Sequence, residues 1–480
     1  MDIKEKTING VIWSAIERFS VQIIQFIVQI IIARLLLPSD YGLIGMLAIF
    51  MALAQTFTDG GLSNALIQKK DRNETDYSTV FYFNIVIGIF LALIFFLCSG
   101  IIAEFYLMPK LKLVIQVMSI NLIILAFQVI QKTILTIKID FKTQAKASLI
   151  SVIIGGAIGI VMAYKGFGVW ALVAQFTAIN IFQTSLFWYL EKWRPKLIFS
   201  KSSFTRLFGF GSKILLANLI HTIYLNLYTL VIGKRFSATN LGYYTRAEQF
   251  AQFPSSNITG ILWRVTYPIM SSIQDENQRL KQVLRQYLRL SAFIVFPLMI
   301  GLAAIAEPFI ILILTEKWKG IVPILQILSI YYMLYPLNAI HQNLMQVKGR
   351  SDLFLRLEIV KKIIGIVLLF ISLPFGLYAL CFSLIVYALI NLALNTYYGS
   401  KLINLDIPTQ LKDISRVLLA SAFMGAIVYL VNYINVSYLL KLVLGVIIGG
   451  VSYYLIARIF KMKELEQLVS LVKGYIGKKA

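Results

Sequence analysis

The sequence predicts an all-α, polytopic membrane protein of about fourteen transmembrane helices: two parallel six-helix lobes around a central cavity, followed by a C-terminal helix pair. Three observations predict it. The 480 residues are 59% hydrophobic and only 14% charged, with a mean hydropathy of +0.78, whereas soluble chains carry about 25% charged residues. Apolar runs recur along the whole chain, and a run of roughly 18 residues or more crosses a hydrocarbon core of about 30 Å as a helix. Short segments of the first half also return in the same order in the second half, the signature of an internal duplication.

The spans are expected near residues 10–36, 41–66, 77–99, 110–131, 147–164, 168–190, 208–232, 243–269, 288–313, 322–346, 357–374, 377–398, 416–434 and 439–458. The duplication aligns Arg34-Leu-Leu-Leu-Pro-Ser-Asp-Tyr-Gly42 without a gap on Lys234-Arg-Phe-Ser-Ala-Thr-Asn-Leu-Gly242. Ile102-Ala-Glu-Phe105 then returns as Ile305-Ala-Glu-Pro308, Ile115–Ile120 as Leu325–Ile330, and Gly168–Leu172 as Gly376–Leu380. A unit of six spans begins and ends on the same side, so its copies run parallel. The expected organisation is therefore an N-lobe over 1–190, a cytoplasmic linker over 191–207, a C-lobe over 208–398, a helix pair over 399–458 and an amphipathic tail over 459–480. Pro38 and Gly42 punctuate the hairpin between the first two spans, where Asp40 is placed to cap the second. The segment 274–290 reads as an amphipathic helix leading into the ninth span, and 461–478 as one lying in the membrane interface.

A net charge of +23 raises the question of nucleic acid, but its placement answers otherwise. Basic residues crowd alternate loops, at Lys69–Arg72, Lys132–Lys146, Lys192–Arg206, Arg279–Arg289, Lys348–Lys362 and Lys461–Lys479. That bias puts both termini on the cytoplasmic side, with anionic lipids as partners. Cys98 and Cys381 both fall in spans, so no disulfide framework is indicated. The start of the chain shows no cleavable signal peptide. There is no phosphate-binding Gly-rich loop with Lys-Ser/Thr and no His/Cys cluster at metal spacing. Those absences predict a transporter with no cofactor, no metal site and no enzymatic reaction of its own.

Polar residues inside spans are costly and tend to face a bundle interior or a hydrated cavity. Ser14, Arg18, Gln22, Gln25 and Gln29 share one face of the first span, with Glu17 beside them. The second span carries Gln55 and Asp59; the seventh carries Asn218, His221, Thr222 and Thr229. The eighth carries Glu248, Gln252, Ser255 and Thr259, with Arg264 toward its cytoplasmic end. Hydrogen-bonded glue between helices is the plain reading of any one of these groups. As a set, they are expected to line the cavity. Arg18 is the candidate for an anionic group, with pairing to Glu17 or Asp59 as the alternative. Arg264 is assigned either to the cavity mouth or to lipid headgroups. Glu17, Asp59, Glu248 and His221 are the candidates for ion coupling.

Several motifs resemble the polysaccharide-unit exporters of the Wzx and colanic-acid-exporter type, within the multidrug/oligosaccharidyl-lipid/polysaccharide flippase superfamily. They include Ala33–Gly42, Asp59-Gly-Gly-Leu-Ser-Asn-Ala-Leu-Ile-Gln68, Gly166–Leu172 and Trp193-Arg-Pro195. Phe208-Gly-Phe-Gly-Ser212, Ile232-Gly-Lys234, Leu241–Ala247, Tyr267-Pro268 and Lys317-Trp318 continue the likeness. The resemblance implies two six-helix lobes around a V-shaped cavity lined by helices 1, 2, 7 and 8, working by alternating access. It implies export of an undecaprenyl-diphosphate-linked oligosaccharide for surface polysaccharide such as O-antigen or exopolysaccharide, with a polymerase and a chain-length regulator as partners. Arg18 would then meet the diphosphate. A cation-coupled drug or metabolite antiporter on the same fold, and a structural subunit of a polysaccharide assembly complex, remain the competing readings.

Overall fold

A backbone amide in hydrocarbon has no water to bond, so apolar runs of this length fold as helices that satisfy their own amides. The computed structural model describes residues 3–466, without the side chains of residues 3–12, 14–16 and 18. The side chains of Ser14 and Arg18, and the tail beyond residue 466, thus lie outside the described residues. The chain divides into two compact units, Met1–Gly242 and Tyr243–Ala480.

The first unit holds α1 (Ile3–Leu35), α2 (Pro38–Asp59), α3 (Leu62–Gln68), α4 (Glu74–Phe105), α5 (Lys110–Ile137), α6 (Phe141–Tyr164), α7 (Val169–Leu190) and α8 (Lys201–Arg235). The boundary falls inside α9 (Ala238–Ser272). The second unit continues with α10 (Asn277–Ala304), α11 (Ala306–Leu314), α12 (Ile321–Met333), α13 (Tyr335–Val347), α14 (Ser351–Ser372), α15 (Leu377–Ile403), α16 (Ile407–Leu430) and α17 (Tyr438–Ile459). Among the described residues, eleven helical stretches are long and apolar enough to cross a membrane. The other three expected spans fall in α1, α9 and α14. All three are helical; the described apolar stretch of α1 is Phe19–Leu35, and α14 carries Glu358, Lys361 and Lys362.

The duplication reaches the helix boundaries. α1 ends at Leu35 and α2 starts at Pro38; α8 ends at Arg235 and α9 starts at Ala238. The two copies of the motif also meet. A Cβ added at Gly42 would fall 2.5 Å from the carbonyl carbon of Ala238, and one at Gly242 would fall 2.8 Å from that of Pro38. Each would lie nearer still to the carbonyl oxygen. Only glycine allows so close a crossing of backbones. α2 begins at Pro38, ahead of the expected span, so Asp40 lies in its first turn rather than at the N-cap position; its carboxylate accepts a hydrogen bond from the Leu37 amide at 3.0 Å.

Inside the first unit, α6 presents Gly155, Gly156 and Gly159 to its neighbours, against Ile179, Val28 and Gln175. Large apolar side chains point outward instead, as Val86, Phe90, Leu93, Leu97 and Ile101 do on α4, which suits a lipid surrounding. α2 breaks at Gly60 and Gly61, both left-handed with φ of 56° and 69°. A Cβ at Gly61 would lie 3.2 Å from the Cα of Gly211 on α8 and closer to its carbonyl. At the adjoining end, Asp76 is buried and accepts from both Lys69 Nζ and Ser203 Oγ, tying α4 to α8.

The segment between α7 and α8 is held down rather than loose. Arg194 donates to the carbonyls of Trp188, Glu191 and Trp193 at 2.7–2.8 Å, and Trp193 Nε1 donates to Glu74 at 2.9 Å. In the second unit, the expected amphipathic stretch near 274–290 is continuous with its span in α10, burying Leu280, Leu284 and Leu288. Arg285 grips Asp413 of α16 through two bonds of 2.6 and 2.8 Å. α16 packs on α10, and α17 packs on α11 and α16.

Candidate functional site

The polar residues read from the sequence fall into three groups in the structure. In the first group, Glu17 on α1 accepts from Ser148 of α6 at 2.9 Å, and Gln183 of α7 donates to that same hydroxyl at 3.0 Å. Glu17 is therefore engaged with α6, and only through Ser148 linked to α7. On the neighbouring face, the Oε1 of Gln22 is buried and has no partner among the described residues, and Gln25 and Gln29 are half-buried.

The second group surrounds a cavity of about 330 Å³ in the first unit. Its chemistry follows from the Gly60-Gly61 break. The turn brings Asp59, at the end of α2, over the first turn of α3, where its carboxylate accepts from Ser63 Oγ. Ser63 Oγ in turn accepts from Thr133 of α5 at 3.1 Å. Gln55, Gln128 and Lys132 complete the polar lining. One carboxylate, one ammonium and several hydroxyls and amides suit a hydrated polar ligand better than an apolar one. Close by, Thr56 of α2 and Thr222 of α8 share a hydrogen bond of 3.4 Å. Asn218 and His221 on α8 are exposed and join no cluster among the described residues.

The third group lies in the second unit. Glu248 on α9 accepts from the hydroxyls of Tyr244 at 3.2 Å and Tyr332 at 3.4 Å. No ion pair to Glu248 occurs among the described residues. Ser255 donates to the Tyr332 carbonyl at 2.7 Å, and Thr259 to the Ser255 carbonyl at 2.7 Å, so both satisfy backbone and hold α9 to α12. Gln252 and Arg264 are exposed.

Two cavity groups escaped the sequence reading. Lys132 and Lys361 read there as loop charges, yet each lines a cavity. The signal for the first was available: Gln128, Lys132 and Thr136 recur at steps of four, the spacing that marked the polar face of α1. Glu358, three residues before Lys361, marks the second in the same way.

Comparison with known proteins places this geometry. A family model described as polysaccharide biosynthesis protein matches residues 31–323. The chain is 25% identical over 458 residues to the teichuronic acid biosynthesis protein TuaB of Bacillus subtilis (strain 168), covering 94% of this chain and 95% of that protein. It is 26% identical over 363 residues to the lipopolysaccharide biosynthesis protein WzxC of Escherichia coli (strain K12), covering 75% and 74%. Among solved structures, the lipid II flippase MurJ in an inward closed conformation superposes with a TM-score of 0.76 at 17% identity, over 95% of this chain and all of that one. An inward-facing multidrug resistance MATE family transporter superposes with a TM-score of 0.58 at 16% identity, over 81% of this chain and 98% of that one. These two likenesses concern the fold.

Proposed function

We propose, on the premise that the chain belongs to the polysaccharide biosynthesis protein family, that it is a flippase moving a lipid-linked oligosaccharide unit across a membrane for surface polysaccharide synthesis. The family match over residues 31–323 carries the reading. The near full-length similarity to a protein named for teichuronic acid biosynthesis and the flippase-like fold support it. The physical requirement is a polar path through an apolar body, because sugar hydroxyls cannot enter hydrocarbon unpaired. The polar groups of α1, α2, α8 and α9 supply donors and acceptors for such a path. Gln22, Gln25, Gln55, Gln252, Asn218 and Thr222 exchange hydrogen bonds with sugar hydroxyls. Arg18 meets the diphosphate of an undecaprenyl-diphosphate carrier through its planar fork.

The cycle proceeds by alternating access, and Glu248 is the coupling carboxylate, since its partners are neutral tyrosine hydroxyls. The chain works in the cytoplasmic membrane of a bacterium with both termini inside, as its basic loops favour. It hands its cargo to a polymerase and a chain-length regulator. Deleting the protein should trap lipid-linked units in the inner leaflet and remove the surface polymer. Intact polymer together with an altered drug-resistance profile would replace this reading with that of an antiporter.

A further inference from the structure

We propose that the second unit carries a pocket for a single neutral sugar ring, built from Trp263, Tyr335, Gln342, Asn391 and the Glu358–Lys361 pair. The inference rests on the glycan-export reading and names a subsite for the cargo. The cavity measures about 190 Å³. Pockets for drug-sized ligands begin near 300 Å³, so this one has room for a single ring of a glycan. Tyr335 is 44% exposed and marks the opening.

The lining combines the two surfaces that a pyranose presents. Trp263 and Tyr335 line the cavity and bring aromatic surface to it for the apolar C–H side of a ring. Its hydroxyls, each donor and acceptor, need amides and charged groups. Asn391 lines the cavity with a buried Oδ1 that has no partner among the described residues. Glu358 receives both Lys361 Nζ and Gln342 Nε2 on the same oxygen, Oε1. Its Oε2 makes no bond among the described residues, which leaves an acceptor free.

The charge pattern selects the ligand. Lys361 is 3% exposed and bonded to Glu358 and, at 3.4 Å, to Asn395. The pair is neutral overall, so it does not select a phosphate or diphosphate. An apolar ligand would leave Asn391 and Glu358 short of partners. The Glu358–Lys361 pair lies within one helix, α14, three residues apart, so it does not itself join helices, and desolvating it offsets most of its attraction.

The test uses the whole protein in lipid nanodiscs, with methyl glucoside, methyl galactoside and N-acetylglucosamine as probes in saturation-transfer NMR. At least one sugar should bind, and Asn391→Ala and Trp263→Ala should each weaken it about tenfold or more. In cells, Asn391→Ala should lower surface polymer per folded molecule. Sugar binding unchanged in both variants, or no binding of any of the three sugars to the unaltered protein, would overturn the pocket. Site-dependent sugar binding by a protein whose deletion leaves the surface polymer intact would keep the pocket and reject the export reading.

Discussion

Replacing Gly42 by alanine tests whether the crossing of the two repeat motifs belongs to the transport cycle. The added Cβ would sit 2.5 Å from the Ala238 carbonyl carbon and 2.9 Å from its Cα. Ordinary contact begins at 3.4 Å, so the start of α9 must retreat by about 1 Å or more. Both obstacles are backbone, and no rotamer change relieves them. Overpacking of this kind costs about 1–3 kcal/mol. If the crossing forms in one state of the cycle and parts in another, that penalty falls on one state alone. The population ratio then shifts about fivefold to a hundredfold. Leu241 is fully buried beside this crossing, so a cysteine placed there reports the shift. In a background lacking Cys98 and Cys381, Gly42→Ala should raise its maleimide labelling rate by that factor and lower export per folded molecule. Gly242→Ala should do the same. The double variant should fall short of the sum, because one retreat relieves both clashes. Unchanged labelling and unchanged export in Gly42→Ala would refute the reasoning.

Three further outcomes are expected. Asp76→Asn removes the buried carboxylate that holds Lys69 and Ser203; breaking one partner of such a pair costs about 3–5 kcal/mol, so thermal unfolding in detergent should drop by several degrees, and an unchanged midpoint would count against the pair. Glu248→Gln keeps the shape and the tyrosine contacts but removes the charge, and should abolish any dependence of export on the sodium or proton gradient; a retained dependence assigns coupling elsewhere. Arg18→Ala should reduce export about tenfold to a hundredfold without lowering abundance, the range of a charge-assisted bond, with partial rescue by Arg18→Lys; loss of folded protein instead would make Arg18 a structural ion-pair partner.

The helices were legible because hydropathy and helical period are local properties. The motif copies placed the hairpins within Arg34–Gly42 and Lys234–Gly242, and the helices break inside them at residues 36–37 and 236–237. The breaks inside spans were not read, although their signals stood in the chain. A hydropathy window averages across Gly60-Gly61, and across the junction at Leu334 before Pro336, so each pair of helices read as one span. Partners were harder still. The four-residue steps on α1 identified a polar face, but not that Glu17 would meet Ser148, 131 residues away. Lys361 illustrates the opposite error. Beside Lys348 and Arg350 it reads as one more cytoplasmic charge, and only the packing of α13, α14 and α15 shows it buried.

That difference explains why a family likeness over nearly the whole chain leaves the sugar unit unread. The motifs that carry the likeness are occupied with one another at helix junctions. Gly61 lies on Gly211, Gly42 on Ala238, and Gly168 against the Asp40 carboxylate. Tyr243 packs its ring on Gly320 and Trp318 and donates to the Lys317 carbonyl at 3.3 Å. Arg194 spends its guanidinium on three carbonyls. Such contacts specify where helices cross, which every cargo requires alike. Asp59 and Ser63 depart from this pattern, since they both shape the α2–α3 turn and line a cavity. The remaining cavity groups, Gln128, Lys132 and Thr133 in one unit and Trp263, Asn391 and Lys361 in the other, stand outside the motifs. On the reading proposed above, cargo preference lies in these cavity residues outside the motifs, and exchanging them should change the glycan carried without disturbing the junctions that hold the fold.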